Sequence, residues 1–310
     1  MSRRSRLGAL LALALATLFP AVPAQAQQGE RTPVAELRRQ AEAGDRLAQS
    51  NLGIQLMLRD GDLGEARRWL RLAMNAGDPD AKNAYAGLLM NGAGGPRDEE
   101  TGRRLILEAA DEGSSSANFT LSMAYRSGTG GFPRDPARSF THMQCAAMLA
   151  RDAGVAQLQW EVGMMHREGF GTPADPAEAY RWVSRSADGG HIRGMISRAV
   201  MLATGEGVAE DDVAARQWYE RAARLDDPLL AHAMRGLGSM LVNAEGGPAD
   251  VARGIAYLRI AESGGDGYAP TILQEWASRI TPEVDREATR IAAEWLAARP
   301  RSSPRVGDSD

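Results

Sequence analysis

The chain has 310 residues, of which 44% are hydrophobic and 25% charged, enough apolar material for a packed core and too much for a disordered polymer. Aromatic residues make up only 5% while glycine reaches 34, a balance that favours alanine-rich helices joined by glycine turns over a large sheet. The formal charge of −4 argues against the basic face with which a nucleic-acid binder neutralises phosphates.

In chain order the first element is residues 1–26. Arg3, Arg4 and Arg6 precede the apolar stretch Leu7 to Phe19, and Ala24-Gln25-Ala26 follows as a small-x-small cleavage site, the layout of a secretory signal peptide. The apolar stretch is shorter than the ~20 residues of a spanning helix and is broken by Pro20 and Pro23, so cleavage is expected over anchoring. Removing those three arginines takes the net charge from −4 to −7. The expected product is periplasmic or secreted, with no membrane span after cleavage. Cys145 is the sole cysteine, which excludes an internal disulfide and leaves stability to packing.

Residues 27–44 follow as a leading partial repeat, with Leu37 to Gly44 as a cap helix. From 45 to 265 one pattern recurs six times, on small anchors at 48, 81, 117, 158, 194 and 233, spaced 33 to 41 residues apart. The copies share a first segment with apolar or small residues at offsets 0, +4, +5 and +8. A glycine-rich turn comes next, such as Gly128-Thr-Gly130, Gly169-Phe-Gly171 or Gly205-Glu-Gly207. A second segment then runs through Asp, a small residue, an aromatic and an alanine pair, as in Asp211, Ala215, Trp218 and Ala222-Ala223. These offsets are helical stripes, so each unit reads as a helical hairpin. The glycines supply left-handed turn positions, and Asp135-Pro136 and Asp175-Pro176 restart the chain as N-cap and first helical residue. Gly77, Gly113, Gly154, Gly190 and Gly264 are expected to stop the second helices. Residues 266–298 read as degenerate capping helices, the last opened by Thr281-Pro282-Glu283, and 299–310 as a frayed polar tail.

A small residue, Leu or Val with Gly, Tyr, Gly-x-Gly-Val, then Asp, Ala, Trp and Ala-Ala, resembles the Sel-1-like repeat (SLR), a relative of the tetratricopeptide repeat. The resemblance covers about residues 45 to 265. It implies an all-α, right-handed α-solenoid of stacked helix-turn-helix repeats, monomeric by itself, that binds a protein or peptide on its concave surface. Periplasmic family members include regulators that bind sensor-kinase ectodomains, and the resemblance extends that role to a sensor or envelope complex. Departures include His142 in place of a tryptophan, His166 in place of a tyrosine, and Gly102 and Gly254 in place of the alanine before the second-helix aromatic.

The chemistry-bearing residues form no reaction constellation. The glycine pairs do not continue as phosphate loops. No metal-ligand spacing links His142, His166, His191 and His232, and no nucleophile elbow is present. Catalytic, cofactor and metal residues are therefore expected to be none. A cell-envelope enzyme acting on peptidoglycan or a lactam is the alternative function, and a purely structural envelope subunit is a third.

Offsets +2 and +6 of the first helices, at about 100° per residue, point away from the 0, +4, +8 face. In three consecutive units they are Phe119 with Met123, Trp160 with Met164, and Ile196 with Val200, whereas flanking units carry Asn83 with Gly87 and Arg235 with Ser239. An apolar stripe bounded by polar units is the pattern of a partner-binding site. The competing reading is that adjacent first helices bury this row in the core.

Overall fold

The computed structural model describes residues 33–151 and 154–298, without the side chains of Arg59 and Asp60. The expected signal peptide and the 299–310 tail lie outside the described residues. Those residues form fifteen α-helices and no strand, and no helix among them is long and apolar enough to cross a membrane.

The helices are α1 (Val34–Glu42), α2 (Arg46–Gln55), α3 (Leu63–Asn75), α4 (Pro79–Asn91), α5 (Glu99–Asp111), α6 (Ser115–Ser127), α7 (Pro136–Leu149) and α8 (Val155–Glu168). They continue as α9 (Pro176–Asp188), α10 (Ile192–Thr204), α11 (Asp212–Ala222), α12 (Leu230–Asn243), α13 (Val251–Ser263), α14 (Ala269–Trp276) and α15 (Pro282–Ala297). The chain divides into two compact units, one running to Trp182 and one from Val183, so the boundary lies inside α9.

In the first unit, α2 packs on α3, α4 on α5 and α6 on α7 as hairpins, and α2, α4 and α6 touch in succession. The second unit repeats the hairpin in α10 with α11 and α12 with α13, and α13 is then covered by α14 and α15. This is the stacked-hairpin α-solenoid fold, in which no repeat buries its apolar face alone.

Local chemistry explains each element. Aspartate caps open the second helices: Asp62 accepts from the Glu65 amide, Asp98 from Thr101, Asp135 from Arg138, Asp175 from Glu178, Asp211 from Ala214 and Asp250 from Arg253, all at 2.9–3.1 Å. The amide of the cap also closes the turn, since Asp135 donates to the Tyr125 carbonyl at 2.8 Å and Asp175 to the His166 carbonyl at 2.9 Å. First helices exit through a left-handed residue: Gly92, Gly128, Gly169 and Gly205 have φ of 66° to 71°. In the last repeat this exit falls on Ala244 at φ 61°, a conformation that costs an L-residue about 1–2 kcal/mol.

The second turn glycine has a different reason. A Cβ on Gly94 would stand 2.1 Å from the Leu63 carbonyl oxygen, on Gly171 2.0 Å from that of Pro136, and on Gly246 2.2 Å from that of Asp212. These glycines let each turn rest directly on the first turn of the preceding second helix.

One expected glycine stop differs: helix α7 ends at Leu149 before an extended Ala150, and Gly154 instead occupies the N-cap of α8. Gly264 does end α13, as its C-cap at φ −82°, and the left-handed residue that follows is Gly265 at φ 85°.

Candidate interaction site

On α6, the buried positions are Ala117, Asn118, Leu121, Ser122 and Tyr125. Offsets +2 and +6 lie beyond this face at about 100° per residue, yet Phe119, Met123, Trp160 and Met164 are half-buried on α6 and α8 of the first unit. Phe119 and Met123 pack against a cluster of Met143, Ala146, Ala147, Leu158, Val162, Met165 and Trp182. Ile196 and Val200, also half-buried, lie on α10 in the second unit. Phe119 and Met123 are thus anchored on one side, and all six side chains remain partly exposed.

One repeat earlier the +2 position of this row is polar and sealed. Asn83 is 4% exposed, and its amide donates to Ser116 Oγ at 3.2 Å and Thr120 Oγ1 at 3.4 Å across the seam between α4 and α6. Ser116 in turn donates to Asp80 at 2.7 Å and Thr120 to the Ser116 carbonyl at 2.9 Å. Both hydroxyls therefore present lone pairs to Asn83, which orients the amide. Sequence reasoning missed this network; the run Ser114-Ser115-Ser116 beside Asp80 in the repeat alignment was its available signal. Beside the apolar row, Arg126 pairs with Glu161 at 3.7 Å and lies 4.9 Å over the Phe170 ring.

The histidines sit in packing positions. His142 stacks on Tyr125 with centroids 5.6 Å apart and its Nδ1 is 2.9 Å from Asn118 Oδ1; burial holds its pKa below the usual imidazole value. His166 is buried, with the Phe140 ring edge-on at 5.0 Å and no hydrogen-bond partner on either nitrogen. His191, at the N-cap of α10, is pushed down to about 4 by burial. Glu65 is held at about 2 by hydrogen bonds from Arg38 and from Trp69, the latter at 3.0 Å. Cys145 is half-buried. Among the described residues no three potential metal-ligating side chains converge.

The sequence model of the Sel1 repeat family matches residues 46–78, 79–114, 115–150, 156–191, 193–227 and 231–266. Among solved structures, the chain is similar to a protective antigen present in uropathogenic Escherichia coli strains that displays an SLR fold. The two are 26% identical with a TM-score of 0.65, over 85% of this chain and 56% of the antigen. The chain thus spans little more than half the antigen's length. A Sel1 repeat protein from Oxalobacter formigenes is 24% identical with a TM-score of 0.64, over 79% of this chain and 99% of that protein, a likeness of fold.

Proposed function

The chain belongs to the Sel1 repeat family, and from that membership we propose that it is an exported scaffold holding a partner protein along the first-helix wall of its first compact unit. Sel1 repeats generally mediate protein–protein contacts, and the reading is of a scaffold and not of a catalyst. The observation that carries the location is the run Phe119, Met123, Trp160 and Met164 in consecutive repeats, half-open where the repeat before presents Asn83 and Gly87. Aromatic and methionine side chains of this kind contribute most when a partner completes their burial. Ile196 and Val200 are proposed as a further contact on the second unit.

The finer reading is a periplasmic regulator of a sensor or envelope complex, monomeric by itself and delivered by the signal-like residues 1–26. A photo-crosslinking residue at position 123 or 164, activated in the intact cell envelope, is expected to trap one partner at a defined mass. Met123→Glu with Met164→Glu is expected to abolish that adduct, probed from position 160, while far-ultraviolet circular dichroism is retained. An undiminished adduct in the folded double variant would falsify the site. Cell fractionation with and without residues 1–26 tests the export reading.

A further inference from the structure

The second helix of each repeat carries one slot between the preceding second helix and its own first helix. Trp69, Trp182 and Trp218 fill it and are at most 9% exposed. Around Trp182 stand Met143, Ala146 and Ala147 of the preceding second helix, and Leu158 and Val162 of its own first helix. In the last repeat the slot belongs to Tyr257 on α13, which is only half-buried. At the position that three other repeats give to an indole, with Leu105 and His142 in the remaining two, the second unit has a cleft of about 200 Å³. Buried Met234, Leu237 and Leu241 line its floor, with Tyr257 and Trp295 also in its lining. Trp295 comes from α15, which covers α13 in place of another regular hairpin. The cleft adjoins a second hollow of about 480 Å³ that shares Arg253, Tyr257 and Trp295.

The charges at the mouth are mostly spent. Arg253 lies 3.3 Å from Asp250, Arg290 holds Glu287 at 2.6 Å and Glu294 at 2.5 Å, and Glu220 stands 3.8 Å from Arg216. Arg224 is the cleft guanidinium with no carboxylate partner among the described residues. A cleft at the position where three other repeats seat an indole, with buried Met234, Leu237 and Leu241 beneath it and one uncommitted cation at its rim, matches one ligand chemistry.

We propose that this cleft binds an aromatic ring that carries a carboxylate, the ring taking the slot beside Tyr257 and Trp295 and the carboxylate meeting Arg224. Such a group is supplied either by a free aromatic acid or by a polypeptide that ends in an aromatic residue. Burial pushes the Tyr257 phenol up, so it meets the ligand as a neutral hydroxyl.

Calorimetric titration of the full chain with indole-3-propionate, and with a short peptide ending in tryptophan, tests the assignment. Saturable one-site binding of at least one probe is expected. Tyr257→Trp fills the slot with the residue that three other repeats already use, so it is expected to stay folded and to weaken binding at least about tenfold. Arg224→Gln is expected to weaken the acid about tenfold and to leave neutral indole unchanged. Tighter binding of the peptide than of the free acid supports a polypeptide terminus as source, and the reverse supports a small molecule. The assignment is overturned if neither probe saturates at millimolar concentration, or if a folded Tyr257→Trp variant binds as well as the parent.

Discussion

Two kinds of junction between repeats solve one packing problem with opposite chemistry. Behind α3 and α5 the residue after the small anchor is arginine. Arg67 donates to the Pro96 carbonyl at 2.9 Å and the Ala93 carbonyl at 3.5 Å. Its guanidinium lies where a Cβ on Gly95 would be, 2.6 Å away, and Arg103 does the same to Gly131 at 2.5 Å. Behind α7 that residue is Phe140, edge-on to His166, and the loop residue after Gly171 is Thr172. An arginine clamp therefore demands glycine in the facing loop, whereas an aromatic wedge tolerates a β-branched residue. Arg216 with Gly247 follows the arginine rule in the second unit, donating to the Pro248 carbonyl at 3.2 Å. The aromatic junction belongs to the same cluster as Phe119 and Met123, so the half-open stripe arises where side-chain packing replaces backbone clamping.

Substituting the loop glycines breaks this comparison most directly. Gly171→Ala places a methyl against a backbone carbonyl at φ +74° and is expected to cost about 3–4 kcal/mol in urea unfolding. Gly131→Ala meets only the Arg103 side chain, which can swing aside, and should cost about 1–2 kcal/mol. Equal losses at the two sites would show that φ alone matters. Next in size, Phe140→Ala is expected to cost about 2–3 kcal/mol, since the ring is half-buried, against about 1 kcal/mol for Arg67→Ala, whose acceptors, the Ala93 and Pro96 carbonyls, are returned to water.

His166 stands where other repeats have Leu56, Leu89, Leu202 or Leu241, with both ring nitrogens unsatisfied. His166→Leu should raise stability by about 1–2 kcal/mol, and a loss would show that the edge contact with Phe140 is worth more than the unmet hydrogen bonds cost. In the second unit, acid acts on His191. Its folded pKa is depressed from 6.5 to about 4, so the unfolded chain binds the proton more readily. The contribution is complete above pH 6.5 and is lost as pH falls toward 4, by about 1–2 kcal/mol after allowance for partial exposure. Chemical denaturation of His191→Asn across that range should show a flatter profile than the parent. Smallest, Ala244→Gly is expected to stabilise by about 1 kcal/mol, because glycine adopts the left-handed exit of α12 without strain; an unchanged unfolding midpoint would count against that strain.

Much of the candidate stripe was legible, since Phe119, Met123, Trp160 and Met164 share one face of consecutive first helices. Their half-burial was not, because about 100° per residue gives direction from one helix axis and is silent on how closely the next helix approaches. Asn83 shows the difference: at the same offset as Phe119 it is sealed against Ser116 and Thr120.

From the sequence alone came the hairpin repeat, its six anchors, the aspartate caps and the left-handed glycine turns. Each is a requirement of backbone conformation or of an unpaired amide, met by residues within a few positions of one another. Tertiary structure alone decided the arginine and phenylalanine junctions, the strained exit at Ala244, the reassignment of Gly154 and the open slot at Tyr257. All of these depend on where a neighbour some thirty residues away comes to rest, a distance that no local preference encodes.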